Sequence, residues 1–149
     1  MEIERKFLVE RPPEEVERAP SRRIDQGYVA LDEGAEVRVR RYGDDLWLTI
    51  KGVGDLSRVE EELALHPDQF DSLWPLTEGR RIEKTRHVLP DGVEVDVYDG
   101  ELAGLMVAEI EFPSEDESAA FEPPDWFGPE VTEDPRYKNR ALAVDGRPD

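Results

Sequence analysis

The sequence predicts a mainly β domain with accessory helices, an α+β arrangement, and three observations carry that reading. Eight short segments alternate charged and apolar residues, the breaks between them hold hairpin-turn residues, and the charges of whole segments share one sign and fall on one face. The chain has 149 residues, 38% of them hydrophobic, which is material for one modest core, so residues 1–149 are read as a single domain.

The strands are expected, in order, over Glu2–Val9, Arg22–Leu31, Ala35–Tyr42, Asp45–Lys51, Arg58–Leu65, Arg80–Leu89, Gly92–Tyr98 and Met106–Phe112. Asp32-Glu33-Gly34, Gly43-Asp44-Asp45, Gly52-Val53-Gly54-Asp55 and Pro90-Asp91-Gly92 are short breaks rich in turn formers, so they join antiparallel neighbours. Helices are expected over Pro12–Arg18, Pro67–Leu76, Ser114–Phe121 and Pro135–Val144, the third opened by a capping box of Ser114 with Glu117. No repeat or linker divides the chain.

Asp plus Glu number 37 against 19 Lys plus Arg, a formal net charge of -18, which excludes a general binder of nucleic acid or of anionic membranes. The absence of cysteine removes disulfides, thiolate metal sites and a Cys nucleophile, and no run approaches a membrane span or a signal-peptide core, so a cytoplasmic location is expected. Serines lack a histidine partner, His66 and His87 are isolated, no phosphate-binding G-x-x-x-x-G-K pattern occurs, and Trp47, Trp74 and Trp126 are read as packing residues. A homodimer is left open, since no exposed apolar stripe argues for one.

The phase of the strand alternation is the informative feature. Arg38 pairs with Arg40, Lys84 with Arg86, Glu94 with Asp96 and Glu109 with Glu111, each two apart with an apolar or uncharged residue between, so each pair shares a face. Like charges gathered this way are unfavourable unless an opposite charge lies between them. The cationic half suits a polyphosphate and the carboxylate half suits hard divalent cations, provided the sheet curls so that these groups line its lumen. The alternative for each acid is an ion pair with a cation of the same face.

Met1-Glu2-Ile3-Glu4-Arg5-Lys6-Phe7 resembles the ExExK signature of the CYTH superfamily, the triphosphate tunnel metalloenzymes. Further blocks of that family follow in order: Arg38-Val39-Arg40, Thr49-Ile50-Lys51-Gly52, Arg58-Val59-Glu60-Glu61-Glu62, Lys84-Thr85-Arg86, Glu94-Val95-Asp96, Glu109-Ile110-Glu111-Phe112 and Arg136-Tyr137-Lys138-Asn139. The resemblance covers Glu2 to about Leu142 and is closest to the short bacterial members. It implies a closed eight-stranded antiparallel barrel forming a tunnel, helices packed outside it, a C-terminal helix, and a bound triphosphate with Mg²⁺ or Mn²⁺.

On that resemblance Lys6, Arg38, Arg40, Lys51, Arg58, Lys84 and Arg86 are the expected phosphate cradle, with Lys138 closing one end. Glu2, Glu4, Asp96, Glu109 and Glu111 are the expected metal ligands, with Glu60, Glu62 and Glu94 supporting them. Tyr28 shares its strand parity with the inward residues and is expected to contact Lys84, forming a proton-transfer pair. The implied reaction is hydrolysis of inorganic triphosphate to diphosphate and phosphate. Cyclisation of ATP, hydrolysis of thiamine triphosphate and noncatalytic polyphosphate binding use the same charged lumen and stay open.

Overall fold

The computed structural model describes residues 3–56 and 58–148. Eight strands form one antiparallel sheet: β1 (Ile3–Leu8), β2 (Ser21–Leu31), β3 (Ala35–Tyr42), β4 (Asp45–Gly52), β5 (Glu60–Ala64), β6 (Arg81–Val88), β7 (Glu94–Tyr98) and β8 (Met106–Phe112). Their order in the sheet is β1-β8-β7-β6-β2-β3-β4-β5. The hairpins use the turn residues that the sequence marked. Asp32 accepts from the backbone N–H groups of Gly34 and Ala35, and Gly43 takes the positive φ of 60° that the β3–β4 turn needs.

The sheet is not closed. Among the described residues β1 and β5 are its edges and are not hydrogen-bonded to each other, so the eight antiparallel strands match the expectation while the closed barrel is not seen. All five residues of β5 are exposed, and Glu60, Glu61 and Glu62 give this edge the charge that discourages pairing with another strand. The sheet nevertheless curls strongly. β1 and β3 stand five positions apart, about 24 Å in a flat sheet, yet Lys6 and Arg40 line the same cavity of about 250 Å³.

Three helices cover the outer face, as expected: α1 (Glu14–Arg18), α2 (Pro67–Leu73) and α3 (Glu115–Ala120). α2 is shorter than expected because Pro75 has no N–H to continue the ladder, and the chain tightens into a 3₁₀ turn over Trp74–Thr77. That turn packs on β2, where Thr77 atoms would lie 2.5 Å from a Cβ at position 27, so Gly27 is required there. Ser114 caps α3 by accepting from the Glu117 N–H. The outer core joins Phe7, Val9, Val95 and Ala108 of the sheet face to Val16 of α1 and to Phe127.

The fourth, C-terminal helix does not join the other three on the outer face. A 3₁₀ turn over Pro135–Tyr137 leads into α4 (Asn139–Asp145), whose Leu142 and Ala143 pack with Tyr28, Ile82, Tyr98 and Val107. Those four sheet residues lie on the inner face, so α4 plugs one end of the curled sheet, leaving a trough open at the other. Full burial of Leu142 and Ile82 stabilises this plug by about 1.5–3 kcal/mol each. No helix among the described residues is long and apolar enough to cross a membrane.

Candidate active site

Strand register places the signature charges on the inner face. Glu4 pairs with Glu111 and Lys6 with Glu109 across β1 and β8, Arg86 with Asp96 across β6 and β7, and Arg38 with Thr49 across β3 and β4. Cross-strand partners share a face, so Glu94, Asp96, Lys84, Arg40, Lys51, Glu60 and Glu62 follow onto it as well. The intervening apolar residues supply the outer core. The phase argument from sequence holds for every one of these strands.

The wall formed by β6, β7, β8 and β1 is internally paired. Asp96 and Lys84, with side chains 4% and 5% exposed, meet at 2.8 Å. Arg86 forks onto the same carboxylate, its Nε 2.8 Å from Oδ1 and its Nη2 3.0 Å from Oδ2, and its Nη1 is 3.5 Å from Glu94. Burial lowers the Lys84 pKa, partly countered by Asp96. Burial would raise Asp96, but the hydrogen bonds and charges of Arg86 and Lys84 hold it below its ordinary value. Tyr98, the register partner of Lys84, stacks beneath it with Nζ 5.3 Å from the ring centroid.

At the β1–β8 edge Glu4, Glu109 and Glu111 each offer a carboxylate oxygen, and these oxygens lie within 4.8 Å of one another. Burial and the adjoining Glu4 push Glu109 up to about 8, while the hydrogen bond from Glu109 holds Glu4 low. Two carboxyl groups therefore share a proton at neutral pH. Lys6 adds one cation, 3.7 Å from Glu4. Convergent hard oxygen donors of this kind fit a divalent cation such as Mg²⁺ or Mn²⁺.

The wall formed by β2, β3 and β4 is built differently. Arg38 and Arg40 have buried Nε atoms without a hydrogen-bond partner, and among the described residues no carboxylate lies within 4.0 Å of either guanidinium or of Lys51. Burial, then the neighbouring Arg38 and Arg86 charges, lower the Arg40 pKa. Arg40 belongs to the 250 Å³ cavity and also to a second one of about 230 Å³, lined by Arg38, Tyr42, Trp47, Thr49 and Glu62. Trp47 thus faces the trough, where the sequence had it as a packing residue.

The first cavity gathers Glu4, Lys6, Arg40, Lys84, Arg86 and Glu109, and the second adds Arg38. Other sequence-marked residues fall elsewhere. Asp96 is an ion-pair partner of two cations instead of a member of the carboxylate trio, because the β6–β7 register sets it opposite Arg86. Tyr28 stands opposite Arg38, and no hydrogen bond joins it to Lys84, whose partner is Asp96; burial raises its pKa. Arg58 is exposed ahead of β5, Lys138 is exposed while its neighbours Tyr137 and Asn139 line the cavity, and Lys51 is half-buried outside both cavities. Glu2 lies outside the described residues. Sequence reasoning missed Tyr98, which the two-residue step beyond Asp96 marks, and Tyr137 and Asn139, which no strand parity reaches.

No protein-family model matches the chain. It is 52% identical over 149 residues to an inorganic triphosphatase of Nitrosomonas europaea, covering 96% of this chain and 97% of that one. It is 41% identical over 146 residues to an inorganic triphosphatase of Acetivibrio thermocellus, covering 95% and 92%. The crystal structure of the inorganic triphosphatase NE1496 superposes with a TM-score of 0.83 at 48% identity, covering 97% of this chain and 95% of that chain. The charged inner face and this full-length likeness agree: the chain belongs to the inorganic triphosphatase family, within the CYTH superfamily.

Proposed function

We propose that the trough hydrolyses inorganic triphosphate to diphosphate and phosphate with Mg²⁺ or Mn²⁺ bound at Glu4, Glu109 and Glu111. The observation that carries this reading is the half-buried pair Arg38 and Arg40, whose buried Nε atoms have no hydrogen-bond partner and which have no carboxylate within 4.0 Å among the described residues, across the trough from the carboxylate trio. Buried cations without an acid are costly, and an incoming oxyanion removes that cost through charge-assisted hydrogen bonds. A bound divalent cation would lower the charge on the phosphate oxygens and acidify a water ligand.

The residues then divide the work. Arg38 and Arg40 fork onto the phosphate chain, Lys6 and Arg86 neutralise its ends, and Asp96 fixes Arg86 and Lys84 so that their remaining donors face the cavity. Water forms the new bond to the terminal phosphorus, the bridging P–O bond breaks, and the diphosphate leaves with its negative charge held by the cations. Lys84, lowered by burial, and Tyr28 on the same face are the groups proposed to carry the proton. Anion bridging of Arg38 and Arg40 to the opposite wall would also draw the edges β1 and β5 together, the closed tunnel expected from sequence. Arg58 and Lys138, exposed here, would join the cradle only through such closure.

The test is phosphate release from tripolyphosphate, ATP and pyrophosphate in EDTA, Mg²⁺ or Mn²⁺, with ATP products separated by chromatography. Metal-dependent cleavage of tripolyphosphate with little ATP turnover, lost at least 10³-fold in Glu4→Gln, is expected. Cyclic AMP as the ATP product, or tight tripolyphosphate binding with no turnover in any metal, overturns the reading.

A further inference from the structure

A cavity of about 690 Å³, larger than either trough cavity, lies on the far side of Tyr137, the one residue that also lines the inner trough cavity. It occupies a seam between two cores. Val9 and Phe127, with Met106 and Trp126 against them, belong to the outer core, whereas Leu105, with Leu8 and Tyr137 against it, belongs to the inner core around α4. Two glycines in the lining leave the seam unfilled. A Cβ at Gly128 would stand 2.8 Å from the Leu8 carbonyl oxygen, and one at Gly104, where φ is 96°, would stand 2.7 Å from Arg147 Nη1.

The lining joins a flat apolar surface to charges of both signs. Trp126 is half-buried and fixed against Phe127, the ring centroids 4.6 Å apart at 88°, with Leu105 and Met106 in the same cavity. At the exposed mouth Arg11 and Arg147 have no carboxylate within 4.0 Å among the described residues, although Glu10 and Asp125 line the same cavity. Arg147 follows α4 directly after Gly146 and lies across Gly104, so the plug itself carries one of these guanidiniums to the mouth.

Each part of this lining selects a part of a ligand. Two guanidiniums with free N–H donors match one phosphate dianion. The indole and its aliphatic neighbours match a planar ring, and the two carboxylates accept from an amino group on that ring. The volume falls within the range of about 300–1,000 Å³ that holds small organic ligands. An inorganic triphosphate would meet only two cations here, beside two acids and an apolar surface that it cannot use.

We propose that this cavity is a second ligand site, for an aminopurine nucleoside monophosphate, with the base against Trp126, its amino group donating to Glu10 or Asp125, and the phosphate bridging Arg11 and Arg147. The site stands whether or not the trough hydrolyses triphosphate.

The experiment is calorimetric titration, in EDTA, of AMP, IMP, adenosine, ribose 5-phosphate and inorganic phosphate into the full chain, Arg147→Ala, Trp126→Leu and Arg40→Met, with melting temperatures as a check of folding. AMP binds about tenfold tighter than adenosine or ribose 5-phosphate, and tighter than IMP, which has a carbonyl where AMP has an amino group. Arg147→Ala removes an exposed side chain, so the fold is kept, and it weakens AMP about tenfold while leaving adenosine unchanged. Trp126→Leu weakens AMP and adenosine alike. Arg40→Met alters the trough and leaves the AMP affinity as it was. Absence of AMP binding at millimolar concentration overturns the site, as does inorganic phosphate binding as tightly as AMP, which means an adventitious ion only. Loss of AMP binding in Arg40→Met with none in Arg147→Ala places the nucleotide in the trough and overturns it equally.

Discussion

On the wall of the trough built from β6, β7, β8 and β1, Lys6, Lys84 and Arg86 each have an acid within 4.0 Å, whereas among the described residues Arg22, Arg38, Arg40 and Lys51 on the wall of β2, β3 and β4 have none at that distance. The contrast separates two kinds of charge placement. A paired wall is complete before substrate arrives and holds its side chains in fixed positions. An unpaired wall stores an electrostatic cost that only an anion relieves, so it supplies affinity and selectivity for the ligand's charge. A chain with a net charge of -18 can thus present positive charge to a polyanion at one surface.

The largest effect comes from breaking the paired wall. Asp96→Asn leaves Lys84 and Arg86 buried without their carboxylate, and removal of one partner of such a buried group costs about 3–5 kcal/mol. Urea unfolding should show this as a lower midpoint at unchanged slope. A stability equal to that of the parent would mean that Asp96 is not the organising charge of its wall.

The opposite sign is expected across the trough. Arg40→Met removes a half-buried guanidinium whose Nε is buried and unsatisfied, so the unfolding free energy should rise by about 1 kcal/mol, read as a higher midpoint. Its kcat/KM for tripolyphosphate should nevertheless fall about 10²-fold, the scale of one lost charge-stabilising donor set. Urea unfolding and steady-state kinetics on the same preparation check both. A variant that loses stability and activity together would erase the distinction between the walls.

Much of this division was legible in the sequence, and the reason is geometric. Strand alternation is a local property, so residues such as Arg38 with Arg40 or Glu109 with Glu111 reveal their common face without knowledge of partners. Pairing is not local. Asp96 was marked as a metal ligand because only the β6–β7 register shows that Arg86 stands opposite it. The Tyr28 contact was misplaced for a related reason: β2 pairs Ile24 with Lys84, and Tyr28 lies four residues further on, beside a β2–β3 irregularity. Closure of the sheet depends on contact between its first and fifth strands, whose alternation is satisfied with or without it. Lys138 lies between the 3₁₀ turn and α4, where strand parity carries no information, and its two neighbours line the cavity.

The proton shared by Glu4 and Glu109 sharpens the comparison, since it can be exchanged for the divalent cation proposed at the carboxylate end of the paired wall. Glu109 sits at about 8 against an ordinary 4.5, so the metal-free protein keeps its proton through neutral pH. A folded-state pKa above the unfolded one contributes stability that is full below pH 4.5 and lost as pH rises through about 8. Without metal, the melting temperature should therefore fall across that window, and Mn²⁺ should restore it. Metal affinity should rise about tenfold per pH unit from 6 to 8 and then level, with close to one proton released per ion at pH 7. Calorimetry in buffers of different ionisation enthalpy measures that proton; release near zero would mean that the trio is already ionised.

The smallest effect concerns the plugged end, which belongs to neither wall. Asn139 opens α4 and lines the inner cavity, so it meets the ligand as a neutral group, and its loss in Asn139→Ala should cost one ordinary hydrogen bond, about 2–10-fold in kcat/KM. Lys138 is charged and, like Asn139, exposed, but it lines neither cavity, and solvent and salt screen its field within about 10 Å. Lys138→Ala should accordingly change kcat/KM less than Asn139→Ala does, and its effect should vanish as salt is raised. Steady-state kinetics at low and high ionic strength compare the two. A larger, salt-resistant loss in Lys138→Ala would mean that this lysine reaches the phosphate chain once the trough is filled, and that the plug supplies a further cation to the wall that lacks acids.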